Sequence, residues 1–191
     1  SEFTSAGFRP NGPTEGKEEG ERMTENSKIE WTHHTFNPWR GCTKVAAGCA
    51  NCYADSQAKR NPKTLGIWGD GGTRVVASEA MWGEPIKWNA AAKAVGERHR
   101  VFCASMADVF EDWRGPLLSS GKQPVFVGKD FRASAGEDHR ATMNEVRTRL
   151  FGLIDATPNL DWLLLTKRPE NIPAMWCSHS NTDGRPPSQL Y

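Results

Sequence analysis

Three of the chain's five cysteines stand between positions 42 and 52, spaced C-x6-C-x2-C at Cys42, Cys49 and Cys52. Thiolates this close together act as a set of soft ligands, and the chemistries they serve are an iron–sulfur cluster or a zinc ion. A four-iron cluster normally takes four protein ligands, so three thiolates leave one iron open to a substrate-like molecule. Gly41, Ala46, Ala47, Gly48 and Ala50 are small enough for backbone to wrap closely round such a body. Lys44 is the one charged residue inside the loop. The zinc reading completes a Cys3His set from His33 or His34 just upstream. No second CxxC pair accompanies the first, which weakens a zinc ribbon, and Cys177-x-His179 is the remaining distant source of ligands. A third reading leaves the thiols unliganded and buried. Cys103, between Phe102 and Ala104 in an apolar run, reads as a small core residue.

The elements that must position this loop follow from periodicity and punctuation. Residues 28–41 read as a short strand running into a turn at Asn37-Pro38. A short helix follows Cys52 and stops at Asn61-Pro62. Residues 63–73 are loop-like and glycine-rich, and residues 74–78 read as a strand. Residues 79–95 have helical composition interrupted by Gly83 and Pro85. Residues 99–110 contain an apolar run that reads as a buried strand, ending near Ser105 to Asp108. Residues 112–140 are ambiguous, with a short strand at 124–128 and a charged loop after it. Met143, Val146, Leu150, Leu153 and Ile154 recur at helical spacing over 141–156. Residues 161–168 then read as a buried strand with a polar exit, and another helix begins near 169. Strands alternating with helices predict an α/β fold with a parallel sheet and helical crossovers.

The chain has 191 residues, 37% hydrophobic, with 24 basic and 23 acidic side chains and a net charge of +1. That balance gives no global field toward nucleic acid or membrane. No apolar run approaches the ~20 residues of a membrane helix, and no signal peptide is visible. Clustered cysteines then fit a reducing, cytoplasmic setting. Residues 1–22 are rich in Gly, Pro, Ser and Glu and are expected to be a disordered leader, either an artificial addition or translated upstream sequence, with Met23 as the natural start. Residues 23–176 form the expected domain, and 177–191 an unstructured tail.

Residues 37–54 (NPWRGCTKVAAGCANCYA), 101–112 (VFCASMADVFED) and 163–172 (LLLTKRPENI) together resemble the phage-associated three-cysteine-motif family. It is named after phage gene products thirty-seven and sixty-eight and is otherwise a domain of unknown function. The likeness spans roughly residues 28–172. That family is in turn similar to radical S-adenosylmethionine enzymes. The resemblance implies a partial or full (β/α) TIM-type barrel with the cluster loop after the first strand. It also implies a 4Fe-4S cluster on Cys42, Cys49 and Cys52 that reductively cleaves S-adenosylmethionine. The usual first gap of such enzymes is three residues where this chain has six. Full barrels take about 250 residues, so the barrel is expected to be incomplete and the chain truncated near Trp176.

In such barrels functional groups leave the carboxyl ends of strands. Ser105 and Asp108, and Lys167 and Arg168 with Thr166, fit that rule as groups holding the two ends of adenosylmethionine. Helix capping and a solvated helix start are their bland readings. Trp39 reads as a shield for the cluster, with Asn37 and Arg40 beside it, and Arg60 as a charge partner or a surface residue. The glycines of residues 69–72 lack the GK[ST] of a phosphate loop, leaving a strip beside the adenosylmethionine amino group. Most of the eight Trp are expected in the core. The resemblance further implies a partner protein encoded nearby and a nucleotide or nucleic-acid substrate. The alternatives from other classes are a non-catalytic zinc- or cluster-binding module and an inactive remnant.

Overall fold

Short strands and helices alternate from His34 to Cys177 in the computed structural model, which describes residues 29–127 and 139–177. In chain order these are β1 (His34–Thr35), β2 (Trp39–Arg40), α1 (Tyr53–Arg60), α2 (Pro62–Leu65), β3 (Arg74–Val76), α3 (Glu79–Val95) and β4 (His99–Cys103). They continue with β5 (Leu117–Leu118), β6 (Phe126–Val127), β7 (His139–Arg140), α4 (Met143–Asp155), β8 (Leu160–Leu164) and α5 (Ile172–Cys177). The leader at 1–22, the charged loop from 128 and the tail beyond Cys177 lie outside the described residues.

Strands β1, β4 and β8 form a parallel sheet in that order, with Val101 paired to His34 on one side and Trp162 on the other. A second sheet pairs β2 antiparallel and β5 parallel to β3. The expected mixed α/β fold with parallel strands and helical crossovers is present. The parallel sheet is open, and no barrel closes among the described residues. No helix among them is long and apolar enough to cross a membrane.

The expected first strand is two strands, one on each side of Asn37-Pro38, and they belong to different sheets. The Asn37-Pro38 turn therefore switches the chain between sheets. The cysteine loop in consequence follows β2 rather than the first strand. Helix α3 also departs from expectation, because it runs unbroken through Gly83 and Pro85. Pro85 removes one backbone donor, but its ring is fully buried on the same face as Trp82 and Trp88. The apolar burial of that face outweighs the lost bond. Helix α4 matches its periodic pattern, burying Met143, Val146, Leu150, Phe151 and Ile154. Thr142 and Glu145 close a reciprocal capping box at its start, which satisfies two otherwise orphaned backbone donors.

The core gathers between the parallel sheet and these helices. Phe36, Trp39, Val101, Val109, Phe110, Val146, Leu150 and Leu160 have no solvent exposure. The Phe36 ring meets Trp82 at 5.3 Å and Trp162 at 5.7 Å, both edge-on, a geometry that aligns the positive ring edge with a negative face. Five of the eight tryptophans (Trp39, Trp82, Trp88, Trp162 and Trp176) are buried, as expected.

Three histidines mark the amino end of the parallel sheet. His34 Nε2 stands 3.1 Å from His99 Nδ1, and its ring stacks on Trp88 at 4.4 Å. His33 stacks on His99 at 4.8 Å and accepts from the Arg100 backbone at 2.9 Å. Burial, with the neighbouring imidazoles, lowers the His34 pKa from 6.5 to about 4. Below pH 6.5 the unfolded chain takes up a proton that the folded chain refuses. His34 therefore leaves stability intact above pH 6.5 and erodes it progressively toward pH 4, by about 3 kcal/mol at most. In urea unfolding at pH 7 and pH 4.5, His34→Gln is expected to lose less stability between the two than the wild type. Identical pH dependences would refute this account. Thr142→Ala is expected to cost about 1 kcal/mol in the same assay at pH 7, through loss of the cap.

Candidate functional site

The cysteine loop begins where β2 ends. Gly41 has φ +115°, and a Cβ there would collide with the Thr73 carbonyl, so only glycine lets the chain turn away from β3 at this point. Trp39, read from sequence as a shield for the cluster, is fully buried in the main core and does not line the cleft described below. A 3-10 turn at Ala47–Cys49 carries the second thiol, and Cys52 is the N-cap residue of α1. The backbone N–H of Gly69 donates to the Cys42 carbonyl at 3.1 Å and ties the glycine-rich segment to the loop.

These parts enclose a cleft of about 320 Å³ lined by Cys42, Cys49 and Cys52, with Trp68, Gly69 and Asp70 on its far wall. A liquid water takes ~30 Å³, so the cleft has room for a body many atoms in size. Among the described residues no three His, Cys, Asp or Glu side chains stand where one metal ion could take them all. The three cysteines line one cleft. A single zinc ion needs its donors within ~2.3 Å, whereas a cluster takes each thiolate on a different iron.

The thiols differ in environment. Burial pushes the Cys42 thiol up, against the hydrogen bond from Arg168. Cys49 is held below its usual range by hydrogen bonds with the Val45 and Ala46 backbone, with Arg168 and Lys167 adding their charge.

Beneath Cys42 lies a buried network of alternating charge. Glu111 accepts two hydrogen bonds from Arg74, at 2.7 and 2.8 Å, and one from the Thr43 backbone at 2.8 Å. Arg74 also donates to the Thr43 hydroxyl at 2.8 Å and stacks over Trp113 at 3.9 Å. Arg168 donates to Asp108 at 3.0 Å, to the Thr43 carbonyl at 2.6 Å, to Glu111 at 3.4 Å and to Cys42 Sγ at 3.5 Å. All four charged residues are 5% exposed or less. Burying them is tolerable because each is paired and hydrogen-bonded.

Of the residues expected from sequence, Ser105, Asp108, Lys167 and Arg168 all lie past the carboxyl ends of β4 and β8, at the end of the sheet that carries the cysteine loop. Asp108 accepts from Thr166, from the Lys167 and Phe110 backbones and from Arg168, which staples the exits of β4 and β8 together. Ser105 accepts from the Asn37 side chain at 3.1 Å. Lys167 projects over the loop: a Cβ on Gly48 would stand 3.5 Å from its Nζ. Among the described residues that ammonium has no partner. Arg60 is exposed on α1. His33 and His34 sit at the opposite end of the parallel sheet, paired with His99, and do not line the cleft. Cys103 is buried in β4, where burial pushes its thiol up.

Sequence reasoning missed Arg74, Glu111 and Thr43. The available signal was a charge opening the apolar strand β3, since a buried Arg requires a carboxylate. Residues 26–114 match a family model described as a protein of unknown function, DUF5131. The match takes in the whole cysteine loop, Arg74, Asp108 and Glu111, and stops short of Arg168. No curated protein and no solved structure matches the chain.

Arg74→Met leaves Glu111 buried with one guanidinium fewer and is expected to cost about 3–5 kcal/mol. Ser105→Ala loses only the latch to Asn37 and is expected to cost about 1 kcal/mol. Urea unfolding of the two variants checks the contrast, and a loss for Arg74→Met as small as that for Ser105→Ala would contradict it.

Proposed function

We propose that Cys42, Cys49 and Cys52 hold a 4Fe-4S cluster whose fourth iron is open, and that the protein acts as a radical S-adenosylmethionine-like enzyme. The observation that carries this reading is the cleft itself, which Cys42, Cys49 and Cys52 line together. When bound, such a cluster supplies one-electron reduction. The parallel strands β1, β4 and β8 carry polar groups past their carboxyl ends, and in a (β/α) barrel that is the end where such a site would be expected.

The chain's own residues have separable tasks. Gly41 and the Gly69–Cys42 bond set the path of the loop. Trp68 on the cleft wall excludes water, which tunes a cluster's potential. Lys167, over Gly48 and without a partner among the described residues, suits the carboxylate of adenosylmethionine. Gly69 and Asp70 line the cleft wall and suit its amino group. Arg168 and Asp108 are engaged with each other and hold the loop from below.

Anaerobic reconstitution tests the proposal. About four irons and four sulfides per chain are expected, absent from a Cys42→Ala, Cys49→Ala, Cys52→Ala variant. The electron paramagnetic resonance spectrum of the reduced protein is expected to change when adenosylmethionine is added. One tightly held zinc without sulfide would overturn the proposal in favour of a metal-supported module that acts with a partner protein.

A further inference from the structure

The three thiols of the cleft are not equivalent, because one of them touches a buried guanidinium. Arg168 Nη1 lies 3.5 Å from Cys42 Sγ. The side chain is 6% exposed and fixed by four further bonds or ion pairs, two to Thr43 and Asp108 and a looser one to Glu111, with its backbone N–H on Thr166. A guanidinium so restrained cannot swing away to follow solvent. Both of its Nη groups are engaged within the protein, by Cys42 and Asp108 on one and by Thr43 and Glu111 on the other.

We infer that Arg168 is a positioning residue that sets the reduction potential of the site through Cys42. The inference rests on the cluster reading above and concerns the sulfur's surroundings rather than its ligation. Reduction adds an electron next to a sulfur already carrying negative charge. A donor and positive charge on that sulfur favour the reduced state. Asp108, 3.0 Å from the same Nη1, acts in the opposite sense, because its carboxylate offsets part of the guanidinium charge. Among the described residues Cys49 and Cys52 receive no such buried side-chain hydrogen bond: Cys49 is held by backbone at Val45 and Ala46, feels Arg168 only as a more distant charge, and sits on the half-exposed rim.

The geometry therefore gives an effect of opposite sign for two residues of one ion pair. A purely structural role cannot reproduce that, because breaking the pair from either side would loosen the loop in the same way. The test is a potentiometric titration of the reconstituted, full-length protein, followed by electron paramagnetic resonance, for the wild type, Arg168→Gln, Arg168→Lys and Asp108→Asn. Iron and sulfide are counted in each sample. Arg168→Gln is expected to retain the cluster and shift to a more negative potential, and Asp108→Asn to a less negative one. Arg168→Lys keeps the charge but loses the fork, so it is expected to fall between wild type and Arg168→Gln. It also serves as the readable variant if Arg168→Gln does not fold. Variants with full cluster content and wild-type potentials, or shifts of the same sign for Arg168→Gln and Asp108→Asn, would overturn the inference. A wild-type chain that takes up no iron and sulfide sinks the cluster reading, and this inference with it.

Discussion

The carboxylate of Glu111 is the constraint on which the rest of the site depends. It lies in the protein interior and is shared between two guanidiniums and one backbone N–H. Arg74 brings to it the start of β3, Thr43 brings the root of the cysteine loop, and Arg168 brings the exit of β8. Few buried charges are stabilising in themselves, because removing them from water costs several kcal/mol per ion. Their effect here is on selection among arrangements. Any packing that separates one member leaves another charge unpaired in low dielectric, so alternative positions of the loop are penalised.

This arrangement divides the loop into a fixed and a freer end. Cys42 is anchored from below by Arg168 and from the side by the Gly69 N–H. Cys49 and Cys52 depend on local backbone, a 3-10 turn and the first turn of α1. The outer rim carries Lys44 and Lys59, both paired with Asp55, so the rim closes on itself electrostatically. Lys167 is exposed and, among the described residues, without an ionic partner.

Legibility in the sequence followed locality. Helix α4 could be read because its apolar spacing agrees with Thr142 and Glu145 at capping-box distance. The strands β4 and β8 could be read because each is a compact apolar run with a polar exit. The two-residue strands β1 and β2 are too short to show any period, so their division between sheets was hidden. The histidines misled for a related reason. Eight residues of near-extended chain span up to about 26 Å, so His34 and Cys42 are neighbours in sequence and occupants of opposite ends of a sheet. Arg74 and Glu111 are separated by 37 positions, and pairing across that distance has no local signature. Nothing in the residues around Pro85 announces that α3 continues through it, since the compensating burial comes from tertiary contacts.

The bond between Cys42 and Arg168 joins positions 126 residues apart. Synthesis runs from the amino end at roughly 5–20 residues per second, so several seconds separate the emergence of the loop from that of the residue that anchors it. Until Arg168 emerges, Cys42 has no guanidinium beneath it. The three cysteines are thus translated well before the residue that anchors their loop. A maturation machinery that delivers its cargo while the chain is still on the ribosome would meet a looser and more solvent-accessible loop than one that waits for the complete domain.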